Sequence, residues 1–258
     1  LADAYCIAPD MIDLPSDDSY GKARAASVRA LELDDQLAES HVSLGFLLAN
    51  VDWKWREAET HFLQAIALNP AYPPAHYWYA YQLLVKQGRT NEALVQAQMA
   101  LNLDPAASTT RGHYAMVLIA AGRHEEAIRQ ARLILELEPE FIQANWTLLR
   151  AYVGFARYSE AIEAGERYRA KVNRPWLLGV LGYAYAVDGK KDAALKLLDE
   201  LKSQPTMDRV PMAQIQAGLG LMQEALNSLQ LAYEARERDL GFLKSYPLFD
   251  RLRSEPRL

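Results

Sequence analysis

The 258-residue chain has a single cysteine, Cys6, so it can close no disulfide within itself and build no cysteine-based metal site. That economy suits a reducing compartment, and a cytoplasmic location is the expectation, although a cysteine-poor periplasmic protein has the same composition. Among its five histidines (His41, His61, His76, His113 and His124) no two sit three to five residues apart beside a carboxylate, as a zinc-binding helix requires, so no metal is expected. Glycine-rich phosphate loops and Gly-x-Ser-x-Gly elbows are absent, and "AGLG" at Ala217 to Gly220 reads as a turn. Cys6 has no neighbouring His or Lys to lower its pKa and reads as inert. "HEEA" at His124 reads as the opening of a helix, where acids suit the positive end of the dipole. With the remaining carboxylates on solvated faces, neither catalytic residues nor a cofactor are expected, and the chain is not an enzyme on this reading. Positive charge is also short: 28 Lys and Arg against 33 Asp and Glu leave a net charge of −5, which argues against direct nucleic-acid binding. Apolar runs fall short of the ~18 to 20 residues that cross a bilayer, so membrane insertion is not expected. An initiator Met and a signal-peptide pattern are missing from "LADAYCIAPD", and "LADAY" matches only the second half of a helix, which predicts that further residues precede it.

What the sequence has is repetition. "AAGRHEEAIRQARLILELEP" (Ala120 to Pro139) is an altered copy of "KQGRTNEALVQAQMALNLDP" (Lys86 to Pro105). Gly88 to Gly122, Ala93 to Ala127, Ala127 to Ala161 and Pro105 to Pro139 are each 34 residues apart; Ala58 to Ala93 and Pro70 to Pro105 are 35. Downstream the copies shorten, Ala161 to Ala194 being 33 and Ala194 to Ala225 being 31. A helical bundle accounts for amphipathic helices but not for the same punctuation at a fixed period. Each period reads as two helices. Gly88, Gly122, Gly189 and Gly220 end first helices where a left-handed residue is needed, and Pro70, Pro105 and Pro139 stop second helices. Small residues belong where the two helices cross, and large ones fill the space between neighbouring pairs.

Leu44-Gly45, Ala58-x3-Phe62 and Pro70 supply a full set of repeat landmarks in one copy; Leu181-Gly182 with Tyr185 supplies part of it in another, and Ala80 and Ala115 replace the glycine in two more. With a 34-residue period, this sequence resembles the tetratricopeptide repeat family over nearly its whole length. The resemblance implies an all-α, right-handed superhelical solenoid over residues 1–238. A partial unit occupies 1–35, and six full units start near Ala38, Pro73, Ser108, Ile142, Pro175 and Thr206. A tail over 239–258, rich in Pro and Arg, breaks the pattern and is expected to cap the last helix. "APDMIDLPSDDS" (Ala8 to Ser19) reads as a long loop, and "VDWKW" adds a residue to one turn, with Trp53 and Trp55 expected to pack on neighbouring helices. Run and tail together are similar to the carboxy-terminal repeat region of bacterial regulators that carry a winged-helix, nucleotide-cyclase or Ser/Thr-kinase effector at the amino end.

In the family, the first helices line a concave face. The positions that face inward there correspond to Val42, Phe46, Tyr77, Trp78, Tyr81, His113, Met116, Trp146, Arg150, Trp176 and Tyr183, with Ser43, Leu84, Thr109 and Gln143 between them. The family's Lys/Asn/Arg clamp for a peptide's terminal carboxylate is replaced by Val42, Phe46 and Trp78, so that mode is absent. An aromatic trough with one cation, Arg150, implies instead an apolar helix or extended segment held by a few large side chains. The implied function is a protein-interaction module that binds a protein or peptide. Two alternatives stay open: a self-association scaffold forming a homo-oligomer, and a small-molecule sensor using Trp78, Trp146 and Arg150. The tail itself is a further candidate for the trough.

Overall fold

A computed structural model describes residues 1–11, 16–204, 208–250 and 252. The described residues are all helix and turn. In chain order the helices are α1 (Ala2–Met11), α2 (Ser16–Leu33), α3 (Ala38–Asn50), α4 (Trp55–Leu68), α5 (Pro73–Trp78), α6 (Val85–Gln87), α7 (Thr90–Leu103), α8 (Ser108–Ala120), α9 (His124–Leu137), α10 (Ile142–Gly154), α11 (Tyr158–Arg169), α12 (Pro175–Val187), α13 (Lys191–Lys202), α14 (Arg209–Leu219) and α15 (Met222–Glu234). Short 3-10 turns follow at Arg238–Phe242 and Pro247–Phe249. Antiparallel helical pairs repeat along the chain, the architecture of an α solenoid. Among the described residues, no helix is long and apolar enough to cross a membrane. The chain divides into two compact blocks, Leu1–Val117 and Leu118–Leu258. The expected opening of the last unit at Thr206 lies outside the described residues, as do residues 251 and 253–258 of the tail.

The turns show why the sequence makes pairs. Gly88, Gly122, Gly189 and Gly220 all take positive φ, between 74° and 83°. At each, two amides cap the open carbonyls of the preceding helix: Gly88 N–H donates to Val85 and Arg89 N–H to Leu84, and Arg123 N–H repeats the bond to Leu118. Ala156 holds the same place without the freedom of glycine, at φ 56°, with Arg157 N–H donating to the Tyr152 carbonyl. Buried alanines mark the crossings; Ala58, Ala93, Ala127, Ala161, Ala194 and Ala225 have no exposed surface.

Copies with one residue too many absorb it in two ways. After α3 the turn widens: Lys54 N–H reaches back six residues to Leu48, with Trp53 at φ 57°. Between α5 and α6 the helix itself swells into a π-helical segment, Tyr79–Leu84. Trp55 is a correction to the packing expected of it. As the first residue of α4 it is 37% exposed, while Trp53 is half-buried.

Most of the loop expected over Ala8 to Ser19 is also corrected. Ala8 to Met11 finish α1 and Ser16 to Ser19 begin α2; residues 12–15 lie outside the described residues. Pro9 removes the N–H that would have reached the Tyr5 carbonyl, and the Ser19 hydroxyl donates to that carbonyl at 2.8 Å instead. Asp17 and Asp18 favour the start of α2 through the helix dipole.

Candidate functional site

In the first block, four of the side chains read as inward-facing are core. Val42 and Phe46 on α3, Trp78 at the end of α5 and Met116 on α8 are all buried. Phe46 and Trp78 pack with ring centroids 5.1 Å apart. Tyr77, Tyr81 and His113 remain half-buried and form one cluster. Tyr77 stacks on His113 at 4.2 Å and 17°, while Tyr81 meets the same imidazole edge-on at 6.2 Å. Pro73 and Pro74 open α5 with φ preset for helix, and the π-helical segment carries Tyr81.

The electrostatics of this cluster are acidic. His113 Nδ1–H donates to the Thr109 carbonyl, 2.9 Å away and one turn back, which fixes the tautomer and leaves Nε2 as an acceptor. Burial lowers the His113 pKa, so the ring is neutral at pH 7. Tyr77 is pushed up to about 12, first by burial and then by Asp3 and Asp104. The Tyr72 hydroxyl donates to Asp3 at 3.4 Å, and its pKa is raised by burial, Asp3 and Glu39. Asp3 also accepts the Ser43 hydroxyl. Beside Asp3 and Ser43 a cavity of about 350 Å³ opens between α1, α2 and α3. An aromatic patch on which Asp3 and Asp104 act suits a segment that brings an apolar or aromatic side chain next to Lys or Arg.

The second block carries the other candidates. Trp146 on α10 and Trp176 on α12 are half-buried and form a triad with Tyr168: centroids are 4.5 Å apart for Trp146–Trp176, 5.7 Å for Tyr168–Trp176 and 6.5 Å for Trp146–Tyr168. Tyr183 on α12 is buried. Arg150, one turn beyond Trp146, is only 2% exposed. Its guanidinium lies 5.3 Å from the Trp146 ring and 3.7 Å from the ring of Tyr246, which belongs to the tail. Trp78 belongs to the first block, and Trp146 and Arg150 to the second.

Sequence reasoning missed Tyr246, Phe242 and Glu237. Phe242 and Tyr246 stack at 4.7 Å and 9°. The Glu237 carboxylate accepts the backbone N–H groups of Arg209 and Val210 at 3.0 to 3.1 Å, capping the start of α14 from 28 residues away. Arg236, at φ 53°, makes the same left-handed turn that elsewhere ends a first helix, and so aims Glu237 back at α14. The spacing Phe242-x3-Tyr246, before Pro247, was the available signal.

The histidines also have places. His41 and His76 share a repeat position with Arg111, and each reaches the carbonyl six residues earlier: Asp35 at 3.3 Å, Pro70 at 2.9 Å and Pro105 at 2.7 Å. The second ring nitrogens of the two histidines meet the facing helix, at His61 Nδ1 (2.9 Å) and the Gln96 amide (2.7 Å). His124 packs on Gly154 so closely that an added Cβ would sit 2.4 Å from the ring. Cys6 is buried and its thiol is pushed up to about 12, by burial first and then by Asp3, which suppresses thiolate chemistry.

Residues 61–95 match the family model of the tetratricopeptide repeat. No curated protein sequence matches the chain. Solved structures do. A tetratricopeptide repeat protein from Parabacteroides merdae shares 17% identity over 96% of this chain and 98% of its own, with a TM-score of 0.63. A thermophilic tetratricopeptide repeat protein of Thermus thermophilus shares 20% over 70% of this chain and 98% of its own, also at 0.63. PilW, a widely conserved type IV pilus biogenesis factor, shares 18% over 72% of this chain and 86% of its own, at 0.59. At these identities the likeness is one of fold: helical hairpins of the tetratricopeptide type.

Proposed function

We propose that this chain is a non-catalytic protein-interaction module that grips a partner segment on the faces of its first helices. It serves as the sensor or scaffold half of a cytoplasmic bacterial signalling or transcriptional regulator. The observation that carries this reading is the half-buried Tyr77–Tyr81–His113 cluster, with Asp3 and Asp104 acting on Tyr77. Rigid aromatics offer large contact area with little side-chain entropy to lose, and interface energy concentrates in such residues. The carboxylates select against acidic partners and favour a segment in which Lys or Arg flanks an aromatic or aliphatic anchor. The repeat gives the reason for the architecture: a single hairpin cannot bury both its faces, and stacked hairpins make a core on one side and a receptor face on the other. PilW, which has a similar fold, is a type IV pilus biogenesis factor, and a role in biogenesis is in keeping with this reading.

The test is capture from a lysate by wild type and by a Tyr77→Ala/His113→Ala variant of matched helicity. A partner retained by wild type and weakened ~10-fold or more by the variant supports the reading, since truncating a central aromatic costs about 2 kcal/mol or more. An identical set of captured proteins would refute it.

A further inference from the structure

The face of the second block is already covered, and by this chain. The Pro247–Phe249 turn packs against both α10 and α14, first helices of two hairpins that flank α12, while Arg238–Phe242 lies against α15. Phe242, Tyr246, Leu248, Phe249 and Leu252 are all buried. Tyr246 lies over the buried guanidinium of Arg150, and Glu237 holds the start of the segment at α14. Asp250 stands near enough to His124 to act on its charge. A cap on the last helix needs to cover only α14 and α15; this segment continues to α10 and places an aromatic side chain on the one cation among the candidate residues.

Resting on the reading of first-helix faces as receptors, we infer that residues 242–250, with Leu252, are an intramolecular ligand of the second block, displaced by a partner segment of the same chemistry. The ligand chemistry is an aromatic ring for Arg150, followed by a proline-led turn that delivers two apolar anchors, as Tyr246-Pro247-Leu248-Phe249 does. A flat aromatic ring suits this guanidinium because the cation is desolvated, with the Trp146 ring 5.3 Å away. A partner lacking the aromatic would leave that buried charge without the ring contact that Tyr246 supplies. The tail therefore sets a threshold: the apparent affinity for a partner falls by the fraction of molecules in which the face is open.

The experiment uses the full chain and a fluorescent peptide of residues 242–252. Anisotropy is read for wild type, for Tyr246→Ala, and for Tyr246→Ala combined with Arg150→Met, with circular dichroism confirming that each is folded. The inference expects Tyr246→Ala to bind the peptide at least ~10-fold more tightly than wild type, and Arg150→Met to remove that gain. Where Arg150→Met does not fold, a peptide with Ala for its tyrosine supplies the same control and is expected not to bind. Hydrogen exchange adds a second readout: peptide binding speeds exchange in residues 242–250 of wild type while α14 and α15 stay protected. Failure of Tyr246→Ala to bind the peptide, or tail amides that exchange only with global unfolding, would overturn the inference and make the tail a fixed cap. So would a wild-type dimer that Tyr246→Ala dissociates, since the tails would then pass between copies. None of these outcomes touches the Tyr77–His113 face, which is tested separately.

Discussion

Ala156 occupies a backbone position that four glycines fill elsewhere, and the comparison gives a signed prediction. A left-handed non-glycine residue costs about 1 to 2 kcal/mol, partly offset because alanine also restricts the unfolded chain. Ala156→Gly should therefore stabilise the protein by about 0.5 kcal/mol, and Gly122→Ala should destabilise it by about 0.5 to 1 kcal/mol, read as opposite shifts of the urea midpoint. Titrating groups give a second prediction. His61, His113 and His124 all have pKa values held below 6.5, each mainly by burial. The folded state then binds fewer protons than the unfolded one, so their contribution is full above pH 6.5 and is lost as pH falls below it. Asp208 runs the other way. Burial, then Glu237 and Asp239, raise it from 3.8 to about 6, so its folded state gains stability as pH falls through about 6. Asp208→Asn should therefore be more stable than wild type at pH 7, and its stability should fall more steeply between pH 7 and 5. Parallel pH curves for the two proteins would refute this.

At the scale of the element, the close crossing of α12 and α14 depends on glycine. A Cβ on Gly179 would lie 2.6 Å from the Cα of Pro211 and 2.4 Å from Gln214 Oε1, and one on Gly182 would lie 2.5 Å from the Ile215 side chain. The Gly179 clash is with backbone, which cannot turn away, whereas Ile215 can change rotamer. Gly179→Ala should cost about 2 to 3 kcal/mol and Gly182→Ala less, both measured by chemical denaturation. Elements also explain which signals could be read in advance. A glycine at the end of a first helix signals its left-handed turn directly, because few other residues take that φ. Nothing comparable announced Trp53, Ala156 or Arg236, where the hydrogen-bonded turn imposes the conformation on residues that do not favour it. The Ala8 to Ser19 segment was misread for the same kind of reason. Ser19 satisfies the carbonyl that Pro9 leaves open, a contact between residues fourteen apart, and α1 continues to Met11.

For the molecule as a whole, charge separates the two faces. The chain carries a net charge of −5, and the carboxylates of Asp3 and Asp104 act on Tyr77, while the second face has a buried cation close to the rings of Trp146 and Tyr246. Raising salt from ~0.05 to ~0.5 M should weaken a partner bound at the first face by roughly 3- to 10-fold, because exposed charge pairs are screened. Peptide binding to the second face of Tyr246→Ala should change by less than about 2-fold, since a desolvated cation–ring contact is poorly screened. Equal salt dependence at both faces would contradict this division.

The sequence by itself determined the class of fold, because period and punctuation are local properties: a glycine or an alanine acts on the residues beside it, and a copy 34 residues on acts the same way. It did not separate Val42, Phe46, Trp78 and Met116, which are core, from Tyr77, Tyr81 and His113, which reach the surface, because both groups lie on the same kind of helix. Only the tertiary structure decided that Arg150 has an aromatic partner from nearly 100 residues away (Arg150 to Tyr246) and that Glu237 caps α14. Those contacts join a non-repeating tail to a repeating scaffold. No periodicity encodes such a contact; it forms only when the left-handed turn at Arg236 sends the chain back across the helices it has just built.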